Sequence, residues 1–149
     1  MAIFRDEFDP KIGPLISVRF DITQSERRKR WKKKQPVPPA FNATALIDTG
    51  AECSCISKEI ADKLDLPLAT INFVNIPGWF GLAPTLFREV EMTLGSVENH
   101  PTQVRTWSVL HVIEFDLAKM GYEAIVGRDV LANCEFNYNG TTNIFSLHY

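Results

Sequence analysis

The chain is poor in the residues that thiol, disulfide and metal chemistry need. Its 149 residues include three cysteines and three histidines. An odd cysteine count, with Cys53 and Cys55 one residue apart, does not make a disulfide framework and reads as buried thiols in a reducing, cytoplasmic setting. The C-x-C spacing is not that of the common zinc knuckles, and His100, His111 and His148 have no partner at ligand spacing, so no metal and no cofactor is expected. Ser54 and Ser57 lack the glycine-flanked elbow of a serine nucleophile. No apolar run approaches the ~20 residues that span a bilayer, and the segment Met1 to Glu7 lacks the basic-then-apolar order of a secretion signal.

What is present fits one globular domain over residues 1–149. The apolar fraction of 45% and the charged fraction of 23% are ordinary for a folded chain of this length. The net charge of −2 hides an uneven distribution. Arg27-Arg28-Lys29-Arg30-Trp31-Lys32-Lys33-Lys34 holds seven of the sixteen basic residues, leaving nine against eighteen acidic ones elsewhere. A basic run with an embedded Trp could touch nucleic acid or a membrane surface. No second basic patch supports this, and the acidic remainder repels phosphates, so neither partner is expected. The run reads instead as a solvated hairpin tip.

Residue patterning is mostly β. Pro14 to Ile22 alternates apolar and polar side chains as a strand does. Residues 23–40, basic and then proline-rich, read as an irregular hairpin connection because proline cannot sit in a paired interior strand; residues 1–12 read as an N-terminal extension. Phe41 to Ile47 is a strand, and Ser57 to Leu66 a short helix stopped by Pro67. Ile71 to Val74 and Leu86 to Leu94 are predicted strands around Ile76-Pro77-Gly78-Trp79-Phe80-Gly81. Thr102 to Phe115 is a long strand and Val130 to Asn133 the last helix. Glu135 to Tyr138 and Asn143 to Leu147 then pair across Asn139-Gly140, a dipeptide suited to a tight turn. The expected class is all-β with one or two short helices.

The most informative stretch is Ala45-Leu46-Ile47-Asp48-Thr49-Gly50-Ala51. Apolar strand formers carry an acid toward the interior, and a turn of small residues follows at once. A carboxylate buried without a partner is costly, so its position needs a reason. The strongest reason is chemistry at a rigid strand end, with Gly50 permitting close approach of other backbone.

Two segments together resemble the retropepsin-like aspartic proteases, the single-lobe relatives of pepsin. Leu46-Ile47-Asp48-Thr49-Gly50-Ala51 is similar to that family's D-T-G-A signature. About 80 residues later, Ala124-Ile125-Val126-Gly127-Arg128-Asp129-Val130-Leu131 is similar to its second signature. The resemblance spans residues from about Gly13 to Leu147. It implies a closed acid-protease-like β-barrel and an aspartic endopeptidase that acts on peptide or protein substrates. Such an active site needs two facing carboxylates, and this chain has one D-T-G, since Asp116 and Asp129 lack the Thr-Gly turn. The resemblance therefore implies a homodimer with Asp48 and its mate on a two-fold axis. Two carboxylates about 4 Å apart, at an effective dielectric near 20, repel by roughly 4 kcal/mol if both ionise. The pair then retains one proton, a sharing known for this enzyme class. One member activates a bridging water and the other polarises the scissile carbonyl, without a metal or an acyl-enzyme.

Further roles follow from the same resemblance. Thr49 would brace the two active-site turns across the axis, and Gly50 would offer its carbonyl to substrate backbone. Ala51 and Glu52 would line the cleft; Glu52 stands where the family usually has Asp and is placed to pair with Arg128. Ile125, Val126, Gly127, Arg128 and Asp129 would support the site from beneath, Gly127 for want of space. Pro77, Gly78, Trp79, Phe80 and Gly81 would form the flap that covers bound peptide. The alternative is a non-catalytic peptide-binding or dimerisation module of the same fold, against which the intact Asp48-Thr49-Gly50 argues.

Overall fold

A computed structural model of the chain describes residues 1–75, 81–95 and 103–149. Among these described residues, ten strands and three short helices follow in the order β1 (Ile3–Glu7), β2 (Leu15–Asp21), α1 (Gln24–Lys32), β3 (Phe41–Ile47), β4 (Cys55–Ser57), α2 (Lys58–Lys63), β5 (Leu68–Asn75), β6 (Leu82–Leu94), β7 (Arg105–Phe115), β8 (Ala124–Val126), α3 (Arg128–Leu131), β9 (Glu135–Asn139) and β10 (Ile144–His148). The expected all-β class holds.

Strand order β2-β3-β8-β4-β7-β6 closes on itself through pairing of β2 with β6, making a six-stranded barrel with β5 added outside β6. Closure removes the free edges that β2 and β6 would otherwise present. Alternation sets the interior. Along β2, Ile16, Val18 and Phe20 point inward; along β3, Ala43, Ala45 and Ile47 do so, all buried. Phe20, Ile56, Met92, Leu94, Val112 and Val126 are fully enclosed, each contributing about 1.5–3 kcal/mol of apolar burial. The short strand β8 runs parallel to β3, with Ile47 opposite Val126. That register sets the end of β3 beside the start of α3.

The termini form a second sheet, β1-β10-β9. Residues 1–12 are thus not an extension. Ile3 to Glu7 pair with Ile144 to His148, the Phe4 ring lies 5.7 Å from Phe145, and Phe8 stacks 4.6 Å from Tyr138. The hairpin between β9 and β10 also differs from expectation. Its loop holds four residues, with Asn139 paired to Ile144 and the Asn139 Oδ1 accepting from the N–H groups of Thr141 and Thr142.

The basic run is a helix rather than a hairpin tip. Thr23 caps α1 by accepting from the Glu26 N–H. The helix has no apolar stripe; it is held by charge. Arg30, 6% exposed, donates to Glu26 Oε1 at 3.0 Å, to the Pro36 carbonyl at 3.3 Å and to the Asp65 carbonyl at 2.6 Å. Arg27 pairs with Asp21 at 2.8 Å.

Candidate active site

Asp48 follows the last residue of β3, and the backbone around it is closed by bonds from three directions. Its N–H donates to the Val126 carbonyl at 3.0 Å, which fastens it to β8. The Ala51 N–H donates to the Asp48 carbonyl at 3.2 Å, closing the Asp48-Ala51 turn, and the Gly50 N–H donates to Asp48 Oδ1 at 2.8 Å. A short polar side chain that captures an amide two residues on is the ordinary device of an Asx turn. Here it also fixes which way the carboxylate points. A Cβ at residue 50 would lie 3.0 Å from Asp48 Oδ1, so glycine keeps the approach to the carboxylate open. Asp48 is half-buried, whereas Thr49 and Gly50 are exposed.

A second turn is sewn to the first. The Arg128 N–H donates to the Ala51 carbonyl at 2.9 Å and the Asp129 N–H to the Glu52 carbonyl at 3.2 Å. Ser54, fully buried, donates its hydroxyl to Asp129 Oδ1 at 2.7 Å and its N–H to Asp129 Oδ2 at 2.9 Å. The Gly127 N–H completes the set by donating to Ser54 Oγ at 3.0 Å. Gly127 is the tightest point. A Cβ there would meet the Cys53 carbonyl carbon at 2.7 Å and oxygen at 2.8 Å, and the Ala51 oxygen at 3.0 Å.

The residues singled out in the sequence are mostly brought together. Asp48, Thr49, Gly50, Ala51 and Glu52 share one turn, and Val126, Gly127, Arg128 and Asp129 bond directly to it or to the residues that follow it; Ile125 pairs with Leu46 in β3. One expectation fails. Arg128 makes no ion pair with Glu52; its guanidinium donates to the Thr49 carbonyl at 3.3 Å, so it steadies the turn through backbone. Ser54, which lacks a nucleophile's sequence context, is the buried link between the two turns. Pro77, Gly78, Trp79 and Phe80 lie outside the described residues. The strands flanking them, β5 and β6, are antiparallel partners up to Asn75 opposite Leu82, and Gly81 is exposed with φ +87°.

Burial and the acids near the turn raise the titratable groups around it. Burial pushes the Cys55 thiol up to about 12, with Cys53, Asp129 and Asp48 adding to the shift. Burial, then Asp129 and Glu52, raise Cys53 as well. Burial and then the Asp48 charge raise the Tyr122 phenol. Nothing in the sequence marks Tyr122 as a neighbour of Asp48; it lies in the connection before β8 and comes there through the fold. It lines a cavity of about 450 Å³ with Thr44, Asp116, Leu117 and Glu123. A groove of about 570 Å³ lies on the terminal sheet, between Arg5, Tyr138 and Ser146. Asp48 lines neither. Among the described residues no three His, Cys, Asp or Glu side chains converge as a metal set.

No family model and no curated protein sequence matches the chain. Among solved structures it is similar to a retropepsin-like aspartic protease from Rickettsia conorii, with a TM-score of 0.59 and 11% identity over 99% of this chain and 91% of that one. At that identity the likeness is one of fold: the chain has an aspartic-protease-type β-barrel.

Proposed function

We propose that the chain is one half of an aspartic endopeptidase, completed when a second copy brings its own Asp48 alongside. The observation that carries this reading is the seating of Asp48. Its carboxylate sits at a strand end, aimed by the Gly50 N–H at 2.8 Å and backed by Val126, while Thr49 and Gly50 face outward. No side-chain hydrogen bond engages Thr49 among the described residues, which leaves its hydroxyl for a partner turn. In the dimer, the carboxylate pair holds one proton between them; the ionised member takes a proton from water while the other donates to the scissile carbonyl. Substrate is an extended peptide, and the pH profile is bell-shaped and acid-leaning.

The deciding experiment combines solution mass with turnover of a peptide library at acid pH, wild type against Asp48→Asn. A dimer whose cleavage falls by about a thousandfold or more in the variant supports the proposal, because removing a general base costs at least the 10²–10⁴ it contributes. A monomer, or cleavage unchanged in the variant, overturns it. Tight binding of a statine-type transition-state mimic without any cleavage would instead mark a peptide-binding module.

A further inference from the structure

The active-site turn leaves the cationic helix α1 without a role, and the structure shows that its charges fall into two sets. On one side Glu26, Arg27 and Arg30 are engaged with Asp21, Pro36 and Asp65. On the other side Arg28, Lys29 and Lys32, with Lys33 and Lys34 just beyond the helix, are exposed and take part in no ion pair among the described residues. At about 100° per residue, Trp31, Arg28, Lys32 and Lys29 fall in succession around one arc of the helix. Trp31 is 64% exposed, an unusual setting for the most costly aromatic to leave in water. An arc of cations around an uncovered indole is a surface built to receive something.

We propose that this arc of α1 is a docking site for a short acidic segment of a protein partner. Carboxylates of the segment pair with Arg28, Lys29 and Lys32, and its backbone or an apolar side chain covers Trp31. Two observations favour a short acidic peptide over other anions. A long polyanion such as nucleic acid would run beyond α1 onto neighbouring α2, whose cations Lys58 and Lys63 are already paired with Asp62 and Glu59 and extend the basic arc no further. Outside residues 27–34 the chain also holds nine basic against eighteen acidic residues, which opposes approach of extended phosphate backbones. A lipid surface needs an apolar face to receive, and α1 offers a single outward aromatic among nine residues.

The site is separate from Asp48. Strands β2 and β3 are antiparallel, with Leu15 opposite Leu46 near the active-site turn and Phe20 opposite Phe41 near α1. Seven residues of strand at about 3.3 Å each put the end of the β2–β3 pair that leads into α1 about 20 Å from the end that carries Asp48. A partner held on α1 leaves the cleft open, so a substrate protein with an acidic segment six or more extended residues from the scissile bond can engage both. Naming the partner as substrate rests on the peptidase reading; the docking itself does not.

The test measures binding of fluorescein-labelled hexaglutamate to the full-length Asp48→Asn protein by anisotropy. Binding is expected to weaken about tenfold or more in the doubly substituted Arg28→Gln, Lys32→Gln protein and on raising salt from about 50 to about 300 mM, and to weaken in Trp31→Ala. These side chains are exposed, so the variants keep the wild-type melting temperature. Equal binding by wild type and the double variant overturns the proposal, as does tighter binding of oligothymidylate or of phosphatidylserine vesicles than of the peptide. In the active protein, a cleavable peptide carrying the acidic extension is expected to show a KM about tenfold lower than the same peptide without it. If neither peptide is cleaved, the peptidase reading fails while the anisotropy result still decides the docking.

Discussion

The Ser54 hydroxyl and the Asp129 carboxylate, 75 residues apart in sequence, lie 2.7 Å from each other and join the residue that leads into β4 to the first turn of α3. Asp129 also takes the Ser54 and Val130 N–H groups, and Ser54 Oγ takes that of Gly127. Four hydrogen bonds thus pass through two side chains. The orientation of Asp48 depends on this joint, because Val126, which accepts the Asp48 N–H, immediately precedes Gly127.

Replacing Ser54 by Ala removes the hydroxyl from a fully buried position and strands the Gly127 N–H, while Asp129 loses one of its three donors and keeps the Ser54 and Val130 N–H groups. Leaving buried polar groups unpaired costs about 1–3 kcal/mol. The expected result is a loss of that size in urea unfolding and, on the proposed peptidase reading, reduced turnover by an otherwise folded protein. Unchanged stability would show that the joint is not structural.

Gly127→Ala is expected to be worse. The added methyl carbon meets backbone atoms of Cys53 at 2.7 and 2.8 Å, and backbone cannot rotate away as a side-chain tip can. Overpacking typically costs about 1–3 kcal/mol; a clash with the backbone of both Ala51 and Cys53 belongs at the upper end. Thermal melting of Gly127→Ala against Gly140→Ala, where the nearest contact is the Tyr138 ring at 3.4 Å, separates the close approach from a general glycine effect.

The parts legible in the sequence are those whose cause is local. Alternation along residues 14–22 and 41–47, the small-residue turn after Asp48 and the glycine of the second signature each declare themselves within a few residues. What escaped has its cause far away or lacks an apolar pattern. The strand β1 exists because β10, some 140 residues on, lies beside it, so its five residues read as a tail. Helix α1 was hidden because its inward face is Glu26, Arg27 and Arg30 instead of apolar groups, and periodicity arguments follow hydrophobicity. The Glu52–Arg128 pairing failed because charge complementarity does not specify geometry: the guanidinium reaches the Thr49 carbonyl instead. The part Ser54 plays has no local signature, because its bond to Asp129 depends on two turns meeting.

That the terminal strand is integral can be tested at Phe8. Its ring is 7% exposed and stands 4.6 Å from Tyr138 and 6.4 Å from Phe145. Truncation of a buried Phe to Ala costs about 3–5 kcal/mol, and Phe8→Ala is expected near the lower end because Tyr138, itself 56% exposed, can shift into the space. Denaturation with a loss below about 1 kcal/mol would return residues 1–12 to the status of an appendage.

Cys55 ties the site to pH. Burial raises its thiol to about 12 from an ordinary value of 9.0, so the folded state holds the proton where the unfolded chain releases it. Below about pH 9 both states are protonated and the contribution to stability is fully present. As pH rises from 9 toward 12, unfolding is favoured by loss of that proton, and stability falls. Cys53, Cys134, Tyr122 and Tyr149 are also raised, chiefly by burial, and push in the same direction, so Cys55→Ala should flatten the decline without abolishing it. A residue-by-residue readout comes from iodoacetamide, which reacts with thiolate. At about pH 8.5 the folded protein is expected to alkylate Cys55 the slowest of the three, with all three reacting alike once urea unfolds the chain. Rapid labelling of Cys55 in the folded state would mean that the strand carrying it opens readily, and with it the link between β4 and β8 on which the Asp48 turn depends.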